Sequence, residues 1–106
     1  MIVATVGQPF TSGDWVAKEG QEEALIARWT EFVEWSVETL GADATESPIL
    51  IRDSADPRHF ISFGGWRDAE TVQSWRQHPE FQERLGRCRE LCDEFVAGDY
   101  TVASAP

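Results

Sequence analysis

The sequence predicts an α+β fold with the element order βαββαβ around one antiparallel sheet. Three observations carry this. Apolar residues recur at helical spacing in two stretches, Gln21 to Leu40 and Pro79 to Phe95. Short runs rich in β-branched and aromatic residues, bounded by glycine, proline and aspartate, flank and separate them. The chain has 106 residues, 42% of them hydrophobic, which suits one domain with one core.

Phe10 to Lys18 forms the first strand, with Gly13 as a bulge or bend and Gly20 as its stop. Met1 to Pro9 either extends that strand or forms a separate arm. Gln21 to Leu40 is a helix whose stripe is Leu25, Ile26, Trp29, Phe32, Val33, Val37 and Leu40, with Trp35 at the stripe's edge and Gly41 as the stop. Pro48 to Arg52 is a short strand, Asp53 to Pro57 a turn, and His59 to Trp66 a longer strand completing a hairpin. Asp68 caps a short helix through about Arg76. Pro79 opens a second, longer helix with the stripe Phe81, Leu85, Cys88, Cys92 and Phe95, ended by Gly98. Tyr100 to Ala103 is the last strand, and the small-residue tail to Pro106 frays. Right-handed crossovers then place both helices on one face of the sheet, the ferredoxin-like arrangement, in a single domain over residues 1–106 with a core of about 10–103.

The strands imply an assembly. His59, Ile61, Phe63 and Gly65 face one way; Phe60, Ser62, Gly64 and Trp66 face the other. Both faces are apolar, as is the run Ile49–Leu50–Ile51, whereas a sheet wetted on one side alternates apolar with polar. Helices cover one face only, so a second copy of the sheet is the simplest cover for the other, and the expected state is a homodimer.

Composition excludes several partners. The formal charge of −10 repels phosphate backbones and anionic lipid, so nucleic acid and membrane surfaces are not expected partners. No apolar run approaches the ~20 residues of a membrane helix, and the N-terminus lacks a basic start followed by an apolar stretch. Cys88 and Cys92 make no disulfide framework and read as reduced core residues, with a redox pair as the remote alternative. The expected location is the cytoplasm.

Five tryptophans are many for so short a chain. They read either as core and interface or as the lining of a pocket for a flat aromatic ligand. His59 and His78 are the two histidines, and with no carboxylate motif beside them no metal site is expected. His59 suits general-base work by its ordinary pKa, but it lies on the strand face opposite Ser62 and Trp66. His78 precedes Pro79 and reads as a cap or loop residue. Ser62 lacks a nucleophile motif. Arg52 and Arg76 could each hold an oxyanion or a carboxylate. No glycine-rich phosphate loop is present, so neither nucleotide nor flavin is expected.

The stretch Arg58-His59-Phe60-Ile61-Ser62-Phe63-Gly64-Gly65-Trp66, followed by Ala69-Glu70-Thr71-Val72-Gln73-Ser74-Trp75-Arg76 and His78-Pro79-Glu80-Phe81, resembles the antibiotic biosynthesis monooxygenase family. Trp15 to Glu23 is similar to that family's first strand, turn and acidic helix start, and the likeness runs from about Ser12 to Ala103. The resemblance implies a dimeric α/β barrel. It also implies kinship with cofactor-free oxygenases of quinols and anthrones and with haem-degrading enzymes. The cofactor-free enzymes carry an asparagine four positions before the strand-end tryptophan; here Trp66 is present and Ser62 holds the asparagine position. Their helix arginine falls near Leu85 or Gly86, with Arg84 and Arg87 adjacent. Trp75 and Phe81 match the tryptophan–phenylalanine spacing of the haem degraders, but Leu85 stands where they place the haem histidine and about Gly13 where they place an asparagine. No haem is therefore expected, nor any other cofactor. The implied function is a small cofactor-independent monooxygenase acting on an aromatic quinol, phenol or polyketide-type substrate. Trp66, Ser62 and Arg76 would be the catalytic candidates, with Trp29, Phe32, Phe60, Trp75 and Phe81 lining the substrate pocket. The alternative is a non-catalytic small-molecule-binding or interaction module on the same fold.

Overall fold

Four strands form one sheet in the order β2-β3-β1-β4, antiparallel at every pairing, in a computed structural model that describes residues 4–106. The elements are β1 (Pro9–Ala17), α1 (Glu22–Leu40), β2 (Thr45–Arg52), β3 (His59–Trp66), α2 (Ala69–Gln77), α3 (Phe81–Arg89) and β4 (Cys92–Thr101). This is the ferredoxin-like order, with two short helices in the second crossover. Met1 to Val3, part of the segment that could extend β1 or form an arm, lie outside the described residues. Pro9 belongs to β1, and before it the chain turns at Val6–Gly7, with Gly7 at φ 88° and its N–H donating to the Val102 carbonyl.

The two-residue period sorts the sheet's faces. Gly13, Trp15 and Ala17 of β1, with Phe60, Ser62, Gly64 and Trp66 of β3, are buried on the helix side. Leu25, Phe32 and Trp35 of α1 and Phe81 and Cys88 of α3 complete that core. Leu25 is wholly buried, and its truncation to alanine would cost ~2–5 kcal/mol. On the outer face Ile49, Ile51, Phe63, Val96 and Tyr100 are exposed, between 38% and 66%. No described element covers them.

The hairpin strand His59–Trp66 lies where the sequence placed it, and the Asp68 carboxylate accepts from Thr71 N–H at 2.8 Å as the expected cap. β2 is longer than expected: it begins at Thr45, because the ladder to β3 continues past an irregularity between Glu46 and Ile49 that accommodates Pro48.

The end of the chain corrects the sequence reading. The second long helix stops at Arg89, and Cys92 and Phe95 belong to β4, as does Gly98. The cause is non-local. Central strand β1 has a second edge, and β4 hydrogen-bonds it along its length from Pro9 to Ala17. A bulge at Val16/Ala17 sets Ala17 opposite Cys92 while Trp15 stands opposite Phe95. Three residues of β4 thus span two of β1, so Cys92 and Phe95 both turn inward at a spacing that imitates a helix. Trp35 is also corrected. It is buried rather than at an edge, because α3 and its preceding turn pack on that flank of α1. The Trp35 indole N–H donates to Glu80 at 3.2 Å, His78 meets its ring edge-on, and the Arg84 guanidinium lies over it.

Candidate functional site: an aromatic cavity under the helices

Between the inner face of β1 and β3 and the three helices lies a cavity of about 90 Å³. Strand parity brings Trp66 to it from β3, the α1 stripe brings Trp29 and Phe32, and the end of α2 and the start of α3 bring Trp75 and Phe81 in from the far side. The rings form a continuous wall. Trp66 and Trp75 are 4.5 Å apart between centroids, Trp75 meets Phe81 edge-on at 4.8 Å, and Phe32 lies 5.6 Å from Trp75 and 5.8 Å from Phe81. Trp15 and Phe95, at 4.2 Å, form the wall on the β1/β4 side.

Each buried indole needs an acceptor for its N–H. Trp66 donates to the Thr11 hydroxyl at 2.9 Å, Trp15 to the Ser62 hydroxyl at 3.0 Å, and Trp75 to the Ser36 hydroxyl at 2.9 Å. Ser36 in turn donates to the Phe32 carbonyl at 2.8 Å, so its one proton is used. Ser62 and Thr11 each keep a hydroxyl proton that a ligand oxygen can accept, since the indole occupies an acceptor lone pair. Register puts Thr11 opposite Gly64 and Gly13 opposite Ser62, so the two hydroxyls are diagonal neighbours on one face.

Arg76 is the one charged residue in the lining, and no aspartate, glutamate, histidine or cysteine joins it among the described residues. Its guanidinium forms a two-point pair with Asp99 of β4, Nη1 to Oδ2 at 3.1 Å and Nη2 closer to Oδ1. The hydrogen bond from Arg76 holds the Asp99 carboxyl below the usual range. This pair bridges α2 to the edge strand beside exposed Ala97, where the cavity approaches solvent.

The other titratable candidates lie elsewhere. His59 is on the outer sheet face, its Nε2 2.8 Å from Asp14 and its Nδ1 3.2 Å from Asp53; hydrogen bonding first to Asp53 and then to Asp14 raises its pKa. His78 accepts from the Glu80 N–H at 3.1 Å in the turn before α3. Arg52 lies over the Phe60 ring, 4.8 Å from its centroid, outside the cavity lining. Cys88 and Cys92 are free thiols, and burial pushes Cys88 up to about 12.

Of the residues singled out from sequence, Trp29, Phe32, Ser62, Trp66, Trp75, Arg76 and Phe81 line this cavity together. Phe60 does not, and this corrects its assignment to the pocket. Phe60 is 1% exposed and lines a separate recess with Ile26, Leu50 and Arg52, because it stands at the opposite end of β3 from Trp66. Thr11, Ser36 and Phe95 are lining residues that sequence reasoning missed. Thr11 has the inward parity of Gly13 and Trp15, and Ser36 lies one helical turn beyond Phe32. Those were the available signals.

The lining does not suit haem. Leu85 faces the cavity with an aliphatic side chain, no residue there can ligate iron axially, and the volume is far below that of a porphyrin. Among the described residues no group of three histidine, cysteine, aspartate or glutamate side chains is placed to hold a metal ion, and no helix is long and apolar enough to cross a membrane.

The fold recurs in solved structures. A mutant of SnoaB, a cofactor-independent oxygenase from Streptomyces nogalater, superposes with a TM-score of 0.82 at 11% identity, over 93% of this chain and 96% of that one. A conserved protein from Methanosarcina mazei Go1 gives 0.77 at 14% identity, over 92% and 94%. A conserved protein from Bacteroides thetaiotaomicron VPI-5482 gives 0.76 at 15%, over 92% and 99%. At these identities the likeness shows the fold alone. No curated protein matches the sequence. The sequence pattern of the antibiotic biosynthesis monooxygenase family matches residues 15–84, from the tryptophan on β1 into the first turn of α3, and on that match the chain belongs to this family.

Proposed function

We propose that the chain binds a small aromatic quinol or phenol in the cavity and promotes its oxygenation by O2 without a cofactor, working as a homodimer in the cytoplasm. The observation that carries this is the cavity itself: an aromatic-walled pocket whose lining offers two hydroxyl donors, with Arg76, paired to Asp99, at its rim. Two hydroxyl donors favour an oxygen that carries negative charge, and Arg76 adds to them where a ligand oxygen takes the place of Asp99. A quinolate held there is electron-rich, desolvated and able to reduce O2 itself. For a para-quinol the balance closes. One atom of O2 replaces a ring hydrogen as hydroxyl, and the two quinol hydrogens leave with the other atom as water, giving a hydroxyquinone. Trp66 orients the ring by stacking, and Ser62 and Arg76 hold its oxygens. The dimer reading rests on the exposed apolar face of the sheet, which a second copy would cover.

A second reading is a carrier or interaction module that binds such a ligand without turning it over. It is favoured by the lack of a carboxylate or imidazole base in the lining and by Ser62 at the position where the resemblance calls for asparagine. Oxygen uptake separates the two. With hydroquinone the first reading expects enzyme-dependent consumption of one O2 per hydroxyquinone, unaffected by catalase. Uptake no faster than without protein, despite measurable binding, would leave the carrier reading; hydrogen peroxide as the product would refute oxygenation.

A further inference from the structure

We propose that Trp15, held over Gly13 by the Ser62 hydroxyl, is the specificity-determining residue that limits the cavity to a single aromatic ring. The inference rests on the ligand-cavity reading above and adds the size class of the ligand.

The argument starts at Gly13. A Cβ there would lie 2.6 Å from the Trp15 indole nitrogen and 2.8 Å from the Ser62 oxygen, closer than atoms can approach. Glycine is thus what lets the indole of Trp15 lie back along β1, two residues from its own Cα. Ser62, the register partner of Gly13, then accepts the indole N–H at 3.0 Å and fixes the ring in that orientation. A tilted contact with Phe95 holds its other side, and Trp15 is 2% exposed. The ring cannot swing away without losing a buried hydrogen bond.

Phe60 lies outside the cavity that this ring lines. Phe60 is the register partner of Trp15 and shares the inner face with Ser62, yet it lines a separate recess of about 380 Å³. Trp29 lines both spaces, whereas Trp15 lines the cavity alone and is its fixed wall. The cavity left on the Trp66 side is about 90 Å³. Drug-sized ligands occupy sites of roughly 300 Å³ or more, and an engineered apolar cavity of about 150 Å³ takes one benzene. By that measure even a single ring needs the lining side chains to give, and two fused rings would have to displace a wall that Trp15 holds fixed.

The test is calorimetric titration under anaerobic conditions with hydroquinone, 1,4-naphthohydroquinone and anthrahydroquinone. The wild type is expected to bind hydroquinone at least roughly tenfold more tightly than the two-ring compound, the difference of one displaced buried side chain. Trp15→Leu, which enlarges the cavity, is expected to reverse the order. Trp15→Phe is the smaller change, which keeps a buried ring if Trp15→Leu does not fold; it loses the hydrogen bond to Ser62 and is expected to narrow the preference. A merely structural role for Trp15 would weaken all three ligands alike, which would overturn the proposal. Equal or tighter wild-type binding of the larger quinols would also overturn it while leaving the ligand-cavity reading intact. Binding of none of the three would overturn both.

Discussion

An indole N–H removed from water needs an acceptor, and at this cavity three hydroxyls supply one each. The sequence makes the tryptophans conspicuous but not their partners, because Thr11, Ser36 and Ser62 look like any other small polar residues until strand register and helix phase bring them into reach. The same limit applies to the titratable groups. Cys88 sits on α3 with its thiol wholly buried and its pKa pushed up to about 12, so it should resist alkylation. Brief treatment of native protein with iodoacetamide near pH 8, followed by peptide mass spectrometry, should find Cys88 unmodified and any label on Cys92. Preferential labelling of Cys88 would show that the α1/α3 core opens readily. His59, between Asp53 and Asp14, has a pKa raised above its ordinary 6.5. Partners gained on folding therefore add stability that is complete below pH 6.5 and is lost as pH rises through the folded value. The urea midpoint of wild type minus that of His59→Gln should be largest below pH 6.5 and shrink as pH rises above it. A difference independent of pH would mean that the imidazole contributes by packing alone.

At the scale of elements, the features written locally were legible. His59 to Trp66 alternates cleanly, Asp68 stands three residues before Thr71, and Gly41 closes α1 at φ 98°. Asp68→Ala should lower stability by ~0.5–2 kcal/mol, read by denaturant unfolding, because Thr71 loses its N–H acceptor at the start of α2. A change well under that range would mean that solvent replaces the cap. What was not legible was the point at which helix gives way to strand after Arg89. Phe81, Leu85, Cys88, Cys92 and Phe95 keep one helical rhythm across α3 and β4, and only the open edge of β1, distant in sequence, decides that Cys92 onward is extended. The placement of Phe60 in the pocket failed for a similar reason. It shares the inward parity of Ser62 and Trp66, but it stands at the opposite end of β3 from Trp66 and packs with Leu50 and Arg52 of β2.

At the scale of the molecule, the two faces of the sheet have different fates. The inner face encloses the cavity, and the outer face leaves Ile49, Ile51, Phe63, Val96 and Tyr100 uncovered. Light scattering at micromolar concentration should give about twice the 11.9 kDa chain mass. Because each chain carries a formal charge of −10, association through this apolar face should tighten as salt screens the repulsion. A species of 11.9 kDa at both low and high salt would refute the dimer. The central claim, that the ligand site is the inner cavity, is tested most directly by isotope-filtered nuclear Overhauser spectroscopy on labelled protein with hydroquinone bound under anaerobic conditions. The account predicts contacts from the ligand's ring protons to Trp66, Trp75 and Phe32. Contacts to Ile51, Phe63 or Tyr100 instead, or none to any aromatic side chain of the inner face, would contradict it.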